Sequence, residues 1–355
     1  MDRPFALVIG ESLIDVMLSR DGVDEHPGGS PMNVAVGLGR LGHPTQLATW
    51  LGRDDRGQAI IDHLTASGVQ LTPGSNGAVA TSTATVTSGQ FGQVAYTFDI
   101  SWQMPPLSPD LLVNPPMVVH TGSIGATMEP GADQVLEAVR QFRGRSLITF
   151  DPNIRAAAIG PAHVVRPMVE KFVALADVVK VSWEDLQWLF PDGDMDPAIE
   201  WLDLGPAIVV VTVGAAGSIG FAQRARCVVP PPQNGGPTGP VIWQPEAFGY
   251  APGPRLPLVD TVGAGDAYMA ALIDGLGHLD LLRHDRRRDL VRIEQDDLDK
   301  LMCYATAATS INLSRPGADP AWRHELGSVN QVVKPWRTDN VPNWMGPAPS
   351  DDQLS

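Results

Sequence analysis

A seven-residue stretch in the last third of the chain places two glycines between two carboxylates. It reads Asp260-Thr261-Val262-Gly263-Ala264-Gly265-Asp266, and the alanine- and leucine-rich residues up to Leu276 predict a helix after it. The glycines allow a tight turn where unpaired N–H groups converge, and the positive end of the helix dipole favours an anion there. Asp266 could cap the helix, but beside an anion it could also take a proton from a hydroxyl. An anion site next to a base indicates phosphoryl transfer to an alcohol.

A second glycine-rich stretch precedes another predicted helix near the amino terminus. Gly28 and Gly29 allow a ligand to approach the backbone, and Asn33, in the first turn of that helix, offers both a donor and an acceptor. Asp15 follows the first predicted strand, where open α/β sheets place ligand groups. The alternative is a glycine-rich turn with Asn33 as a helix cap and Asp15 as an ordinary turn residue.

Short apolar runs alternate with helical patterns along most of the chain. Residues 5–10, 146–150 and 207–213 are examples of such runs, and they predict buried strands of a parallel sheet. The pattern changes at residues 81–87 and 94–99, which are rich in β-formers and predict a hairpin. This hairpin could belong to a separate small sheet or form an antiparallel edge of the main sheet.

Composition excludes several classes of protein. The chain has 355 residues, of which 43% are hydrophobic and 18% charged, so it can bury a sizeable core. Its formal charge of −15 argues against a nucleic-acid partner. Cys227 and Cys303 lack metal-ligand spacing and indicate a reduced, cytoplasmic compartment. No signal peptide and no apolar run of about 18 residues is present, so we expect no membrane partner.

The two glycine-rich stretches resemble the two signatures of the ribokinase-like (PfkB) sugar kinases. Residues 260–266 match D-T-x-G-A-G-D, which in this family carries the anion hole and the catalytic aspartate. Residues 27–33 match G-G-x-x-x-N in a form similar to that of bacterial fructokinases, and D-P-N-I-R at 151–155 resembles a further fructokinase element. The resemblance spans roughly residues 5–320.

The resemblance implies an α/β fold of three layers (αβα) with a mainly parallel sheet and a small β-sheet lid. We expect the kinase domain over 1–320, with the lid formed by about 14–31 and 80–104. The remaining two segments do not match the family. They are a Pro/Gly-rich insertion at about 228–257 and an irregular carboxyl-terminal tail at 321–355.

The resemblance also implies which residues form the site. The reacting groups are Asp266 as the base, the N–H groups of Gly263, Ala264 and Gly265 as the anion hole, and Arg155. The residues expected to hold sugar hydroxyls are Asp15, Gly28, Gly29 and Asn33. Without the resemblance, the sequence also allows Arg155 to form a structural salt bridge with Asp151.

The expected cofactors are ATP and Mg²⁺, with K⁺ as an additional expectation. The residues implied at the nucleotide are Ser182, Thr212, Gly214, Gly217 and Thr306. Asp185 is implied to support Mg²⁺ through water, and the residues implied at K⁺ are Asp260, Val262, Asn312 and Gly317. Ser182 and Asp185 stand where the family usually has Asn and Glu, and Thr306 stands where it has His or Asn, so contacts at these positions can differ.

These observations together predict an ATP-dependent sugar kinase. No lysine or arginine occurs between Arg56 and Arg140, which disfavours an acidic or phosphorylated sugar under the lid, so a neutral sugar, fructose first, is expected. Ribose, a nucleoside or 2-keto-3-deoxygluconate remain alternatives, as does a catalytically idle sugar-binding regulator. The chain lacks a P-loop, and it lacks the G-x-G-x-x-G of dinucleotide-binding oxidoreductases. The expected partners are the sugar and ATP, and a homodimer is left open.

Overall fold

The computed structural model of the chain describes residues 4–18, 22–88, 94–222, 225–229, 258–327 and 329. Arg20, the hairpin turn at 89–93, nearly all of the Pro/Gly-rich insertion and most of the tail lie outside these residues. Among the helices of the described residues, none has both the length and the apolar character needed to cross a bilayer.

The described strands form two separate sheets. In chain order they are β1 (Ala6–Ile9), β2 (Leu13–Leu18), β3 (Val23–Gly28), β4 (Thr45–Ala48), β5 (Val69–Leu71), β6 (Thr83–Ser88), β7 (Val94–Asp99), β8 (Val118–Gly122), β9 (Leu147–Asp151), β10 (Val178–Ser182), β11 (Ile208–Thr212), β12 (Ser218–Ala222) and β13 (Ala225–Val229).

The larger sheet has nine strands in the order β13-β12-β11-β10-β9-β8-β1-β4-β5. Neighbouring strands from β5 to β11 run parallel, and β12 and β13 are antiparallel additions at one edge. Because parallel strands end at the same edge of a sheet, the residues that follow β1, β9, β10 and β11 are brought to one side of the molecule.

The smaller sheet has four strands in the order β3-β2-β6-β7. β6 and β7 pair antiparallel, as the hairpin prediction required, and β2 pairs antiparallel with β3 but parallel with β6. The hairpin therefore belongs to a separate small sheet and is not an edge of the main one.

Helices cover both faces of the larger sheet. In chain order they are α1 (Ser30–Arg40), α2 (Asp55–Ala66), α3 (Asp110–Val113), α4 (Gly131–Phe142), α5 (Ala162–Val173), α6 (Trp183–Leu189), α7 (Asp196–Leu204), α8 (Ala264–His278), α9 (Arg287–Leu290) and α10 (Gln295–Leu313).

Two hydrophobic cores show why these elements form three layers. In β1, Ala6 and Val8 pack into one core with α1, α2, α8 and α10, whereas Leu7 and Ile9 pack into the other with α4, α5, α6 and α7. Successive side chains of a strand point to opposite faces, so a strand covered on both sides must be apolar throughout. The expected three-layer α/β fold with a small second sheet is confirmed.

Candidate active site

Asp266 lies in the first turn of α8, and its carboxylate is held by three neutral donors. Ser30 Oγ donates to Oδ1 at 2.6 Å, Asn33 Nδ2 donates to Oδ2 at 2.8 Å, and Asn153 Nδ2 donates to Oδ1 at 3.1 Å. Asp266 is only 5% exposed. Asn33 and Asp266, predicted separately from the two glycine-rich stretches, are thus in direct contact.

Ser30 and Asn153 were not singled out by the sequence analysis, although both lie inside motifs that it quoted. Asn153 has a positive φ of 36°, a conformation that asparagine tolerates better than most residues. Its Nδ2 also donates to Ser30 Oγ at 2.6 Å. The sequence contained a signal for Asn153, because this asparagine comes directly after a predicted strand and a proline. We interpreted that segment only through Arg155.

The turn before Asp266 leaves backbone N–H groups available. Gly263 has a φ of 71°, and a Cβ atom there would lie 2.5 Å from the Cβ of Ala318, so this position requires glycine. The N–H of Ala267 donates to the carbonyl of Gly263 at 2.8 Å. Among the described residues, none accepts a hydrogen bond from the N–H groups of Gly265 and Asp266. These two groups can therefore donate to an anion.

Asp15 and Arg155 approach Asp266 from two other elements. A Cβ atom at Gly28 would lie 2.1 Å from Asp15 Oδ2, so the carboxylate packs directly on the glycine backbone. Burial raises the pKa of Asp15 to about 6, Arg155 and His26 partly oppose this shift, and Asp266 adds to it.

Arg155 does not form the salt bridge with Asp151 that the sequence left open as an alternative. Asp151 pairs with Lys180 instead, at 2.8 Å. The exposed Arg155 guanidinium donates from Nη1 to Asn153 Oδ1 at 2.5 Å and to the carbonyl of Ile154 at 3.3 Å.

Glu11 is a buried acid that the sequence analysis did not assign to the site. It follows β1, is 3% exposed, and accepts a hydrogen bond from the N–H of Gly125 at 2.7 Å. Burial raises the pKa of Glu11 to about 7, although hydrogen bonds, the one with Ser123 foremost, act in the opposite direction. Gly29, with a φ of 109°, lies so close that a Cβ atom would be 2.8 Å from the carbonyl oxygen of Glu11.

The residues predicted at the nucleotide are mostly neighbours at the ends of β10 and β11. Ser182 and Thr212 are aligned in adjacent strands. Gly214 and Gly217 flank a 3₁₀ turn and have φ values of 47° and 92°. Thr306 lies on α10, and its hydroxyl donates to the carbonyl of Met302 within that helix, so nothing described connects it to the other four.

Asp185, predicted at the metal, connects two of these elements. Its N–H donates to Ser182 Oγ at 3.0 Å, which caps α6, and its Oδ1 accepts from the N–H of Ile154 at 3.0 Å. Burial raises the pKa of Asp185. No group of three or more His, Cys, Asp or Glu side chains in the described part of the chain has the arrangement of a direct metal site.

The four residues predicted at K⁺ come together from two segments, the loop before α8 and the carboxyl-terminal end of α10 with the residues that follow it. Asp260 accepts from the N–H groups of Val262 at 3.0 Å and Gly317 at 2.8 Å. Asn312 Nδ2 donates to the carbonyl of Val262 at 2.8 Å. Asn312 is fully buried, and its Oδ1 has no hydrogen-bond partner.

Solved structures with this fold agree with the arrangement of layers. A fructokinase from Xylella fastidiosa with bound ATP superposes with a TM-score of 0.72 at 22% identity, covering 92% of this chain and 96% of that one. An aminoimidazole riboside kinase from Salmonella enterica gives 0.62 at 21% identity, covering 92% and 97%. The chain therefore has the fold of the ribokinase-like kinases.

Sequence comparison then gives the family. Residues 4–324 match the pfkB family of carbohydrate kinases. A fructokinase from Rhizobium leguminosarum bv. trifolii is 31% identical in an alignment of 290 residues that covers 76% of this chain and 79% of that protein. A fructokinase from Klebsiella pneumoniae is 30% identical over 284 residues, covering 76% and 83%. The chain belongs to the pfkB carbohydrate kinase family, whose members are phosphotransferases with an alcohol group as acceptor.

Proposed function

We propose that this kinase transfers the γ-phosphoryl group of ATP to a primary hydroxyl of a neutral sugar, with fructose as the lead substrate. The observation that carries the proposal is the contact between the two glycine-rich stretches. Asp266 is fixed by Asn33, Ser30 and Asn153 beside two N–H groups that have no acceptor among the described residues.

Asp266 acts as the general base. Its carboxylate takes the hydroxyl proton as the sugar oxygen forms a bond to the γ-phosphorus, and the bond from that phosphorus to the β–γ bridging oxygen breaks to release ADP. Three neutral donors orient the carboxylate, and it forms no ion pair within the described residues. This fixed orientation suits transfer of the hydroxyl proton to it.

The anion hole is the turn of residues 263–266, where the N–H groups of Gly265 and Asp266 have no acceptor among the described residues. The N–H of Ala264 donates to the carbonyl of Thr261 at 3.3 Å, and the exposed cation Arg155 lies beside the turn. These dipoles are fixed before the substrates bind, so they stabilise the developing charge without reorganisation. Ser182, Thr212, Gly214 and Gly217 would border the nucleotide, and Thr306 stays a prediction.

The sugar site consists of Asp15, Gly28, Gly29 and Asn33. Asp15 and Glu11 bring two buried carboxyl groups to this side of the site, and Arg155 is a cation that acts on both. A carboxylate or phosphate on the sugar would meet these acids, which supports a neutral substrate. Fructose is favoured over ribose because the curated relatives at about 30% identity are fructokinases.

Metal ions complete the proposal. When bound, Mg²⁺ neutralises charge on the phosphates, and Asp185 would hold it through water, which fits a cation that keeps most of its hydration and needs no direct cluster of ligands. The site formed by Asp260, Val262, Asn312 and Gly317 would hold K⁺. The unpartnered Asn312 Oδ1 supports a cation at this site, because buried polar atoms normally have a partner.

The test is ADP release from ATP and Mg²⁺ with each of six acceptors, with and without K⁺. The acceptors are fructose, ribose, glucose, adenosine, 2-keto-3-deoxygluconate and fructose 1-phosphate. The Asp266→Asn protein serves as the control for contaminating activity.

We expect turnover confined to neutral sugars and highest with fructose. A preference for the acid or the phosphate ester would refute the argument from charge. Nucleotide and sugar binding without turnover of any acceptor would leave the chain as a sugar-binding regulator.

A further inference from the structure

A buried ion pair lies under the proposed anion hole. Lys180 on β10 and Asp151 at the end of β9 are 3% and 0% exposed, and Lys180 Nζ lies 2.8 Å from Asp151 Oδ2. Of the lysines and arginines that the structure describes, Lys180 is the one that is fully buried. Replacing such a pair with apolar groups often leaves stability unchanged or improves it, so stability does not explain why the pair is present.

The ammonium group of Lys180 touches the first turn of α8. A Cβ atom at Gly265 would lie 2.7 Å from Nζ, and nothing else except the Lys180 side chain is within 4 Å of that point. Gly265 has no positive φ, so space for the ammonium, not backbone conformation, explains glycine at this position. The positive end of the pair therefore faces the turn, while the Asp151 carboxylate is farther away.

The ammonium group of Lys180 keeps its positive charge. Burial alone would lower the pKa of Lys180, but attraction to Asp151 outweighs burial and raises it, so the lysine is protonated throughout the physiological range. Burial raises the pKa of Asp151, with Lys180 acting in the opposite direction, and its Oδ1 has no hydrogen-bond partner. Among the described residues, the hydrogen bond of the Asp151 side chain is with Lys180, and Asp151 thus keeps Lys180 charged and in place.

We propose that Lys180, held by Asp151, is a positioning residue that places a permanent positive charge directly behind the anion-binding turn of residues 263–266. This inference rests on the proposed phosphoryl transfer. It assigns the pair a different task from Arg155, which can reach a substrate directly, because Lys180 acts through the backbone of Gly265 and reaches no substrate itself. A buried charge this close to the turn is little screened by water. It therefore strengthens anion binding most for the transferring phosphoryl group, whose negative charge increases during the reaction.

The decisive variant is the double substitution Asp151→Asn/Lys180→Met. It removes both charges together, so no unpaired ion remains in the core and the protein should fold with nearly unchanged stability. We expect kcat with the best sugar to fall about 10- to 100-fold, while KM for that sugar changes less than about threefold. A control is Asp177→Asn, which removes a 1% exposed carboxylate that pairs with Arg143 and Arg287 away from the site. This control should lose stability but keep kcat.

A second readout is independent of turnover. ADP with aluminium fluoride mimics the phosphoryl group during transfer, and calorimetry measures its affinity beside that of ADP alone. We expect the double variant to bind the fluoride complex at least about tenfold more weakly and ADP within about twofold of the unmodified protein, because the lost charge acts on the transferring group.

A double variant with kcat and fluoride-complex affinity within twofold of the unmodified protein would overturn the inference and leave the proposed function intact. An unmodified protein that turns over no sugar would overturn the proposed function. In that case only the affinity for the fluoride complex tests the inference. Equal binding by the unmodified protein and the double variant, or no binding by either, would count against it.

Discussion

Helix α8 contains two buried aspartates with opposite environments. Asp266, in its first turn, is bonded by Ser30, Asn33 and Asn153, whose donors are all neutral. Asp274, about 12 Å further along the helix, accepts from Tyr304 Oη at 2.6 Å, from His43 Nε2 at 2.7 Å and from the Arg323 guanidinium.

The two aspartates differ in the charge of their hydrogen-bond donors and not in burial, since Asp266 is 5% exposed and Asp274 is 1% exposed. At Asp274 burial acts to raise the pKa, but bonds from His43, Arg323 and Tyr304 outweigh it, so the pKa is lowered and the carboxylate stays ionised. The Asp274 carboxylate is part of a structural ion pair with Arg323, whereas the hydrogen-bond donors to Asp266 among the described residues carry no charge. The substitutions of Asp266 and Asp274 test this distinction directly, and two further experiments test Glu11 and Gly28.

The largest effect is expected for Asp266→Asn. Loss of the base should lower kcat about 10²- to 10⁴-fold, because the asparagine cannot accept the hydroxyl proton. The melting temperature and ADP affinity should stay close to those of the unmodified protein. The amide oxygen can still accept from Ser30 and Asn153, and the Asn33 amide can turn its own oxygen towards the new NH2 group. Turnover near the original rate would remove Asp266 from the mechanism.

Asp274→Asn should have the opposite profile. Asparagine keeps one acceptor oxygen but no negative charge, so the buried ends of Arg323 and His43 lose their anionic partner, and the free energy of unfolding should fall by about 3 kcal/mol. Urea denaturation measures this change, and kcat of the folded protein should remain within about twofold. A large loss of kcat at full stability would show that the two aspartates do not differ in role.

Glu11 should make stability depend on pH. Its pKa is raised from the ordinary 4.5 to about 7, so the folded protein binds this proton more tightly than the unfolded chain does. The stabilisation is complete below about pH 4.5 and is lost as pH rises through about 7, amounting to about 2 kcal/mol between pH 5 and pH 8. Glu11→Gln should lack this component when urea unfolding is measured across the range. Identical pH profiles for the two proteins would contradict it.

The smallest effect is expected for Gly28→Ala. The new Cβ atom would lie 2.1 Å from Asp15 Oδ2 and displace that carboxylate, so KM for the sugar should rise about tenfold with a smaller change in kcat. Gly160→Ala is the matched control, because nothing lies within 4 Å of its added Cβ atom. An unchanged KM in Gly28→Ala would separate Asp15 from sugar binding.

Much of the fold and the centre of the site could be predicted from the sequence. Helix α8 follows the stretch at 260–266 as its pattern indicated, and the two glycine-rich stretches, which were assigned to one site, are joined in the structure by the bond between Asn33 and Asp266. Local patterns are sufficient here because strand periodicity and glycine-rich turns are local properties.

The missed residues depend on contacts that no local pattern contains. Lys180 lies within an apolar strand, and its partner Asp151 was considered only as an alternative partner of Arg155, which is nearer in sequence but exposed in the structure. Glu11 was an acid after a strand, and only the fold shows that Gly125 covers it. The roles given to Thr306 and to the loop of Asp260 remain predictions.

The bond between Asn33 and Asp266 joins residues 233 positions apart in the chain. Under the proposed mechanism, synthesis makes the residues expected at the sugar long before the base, so an amino-terminal fragment that ends before residue 266 should not turn over nucleotide. Contacts this distant also slow folding, because closing the intervening chain costs entropy. Activity by this mechanism would thus report that synthesis has passed residue 266 and that the sheet has assembled.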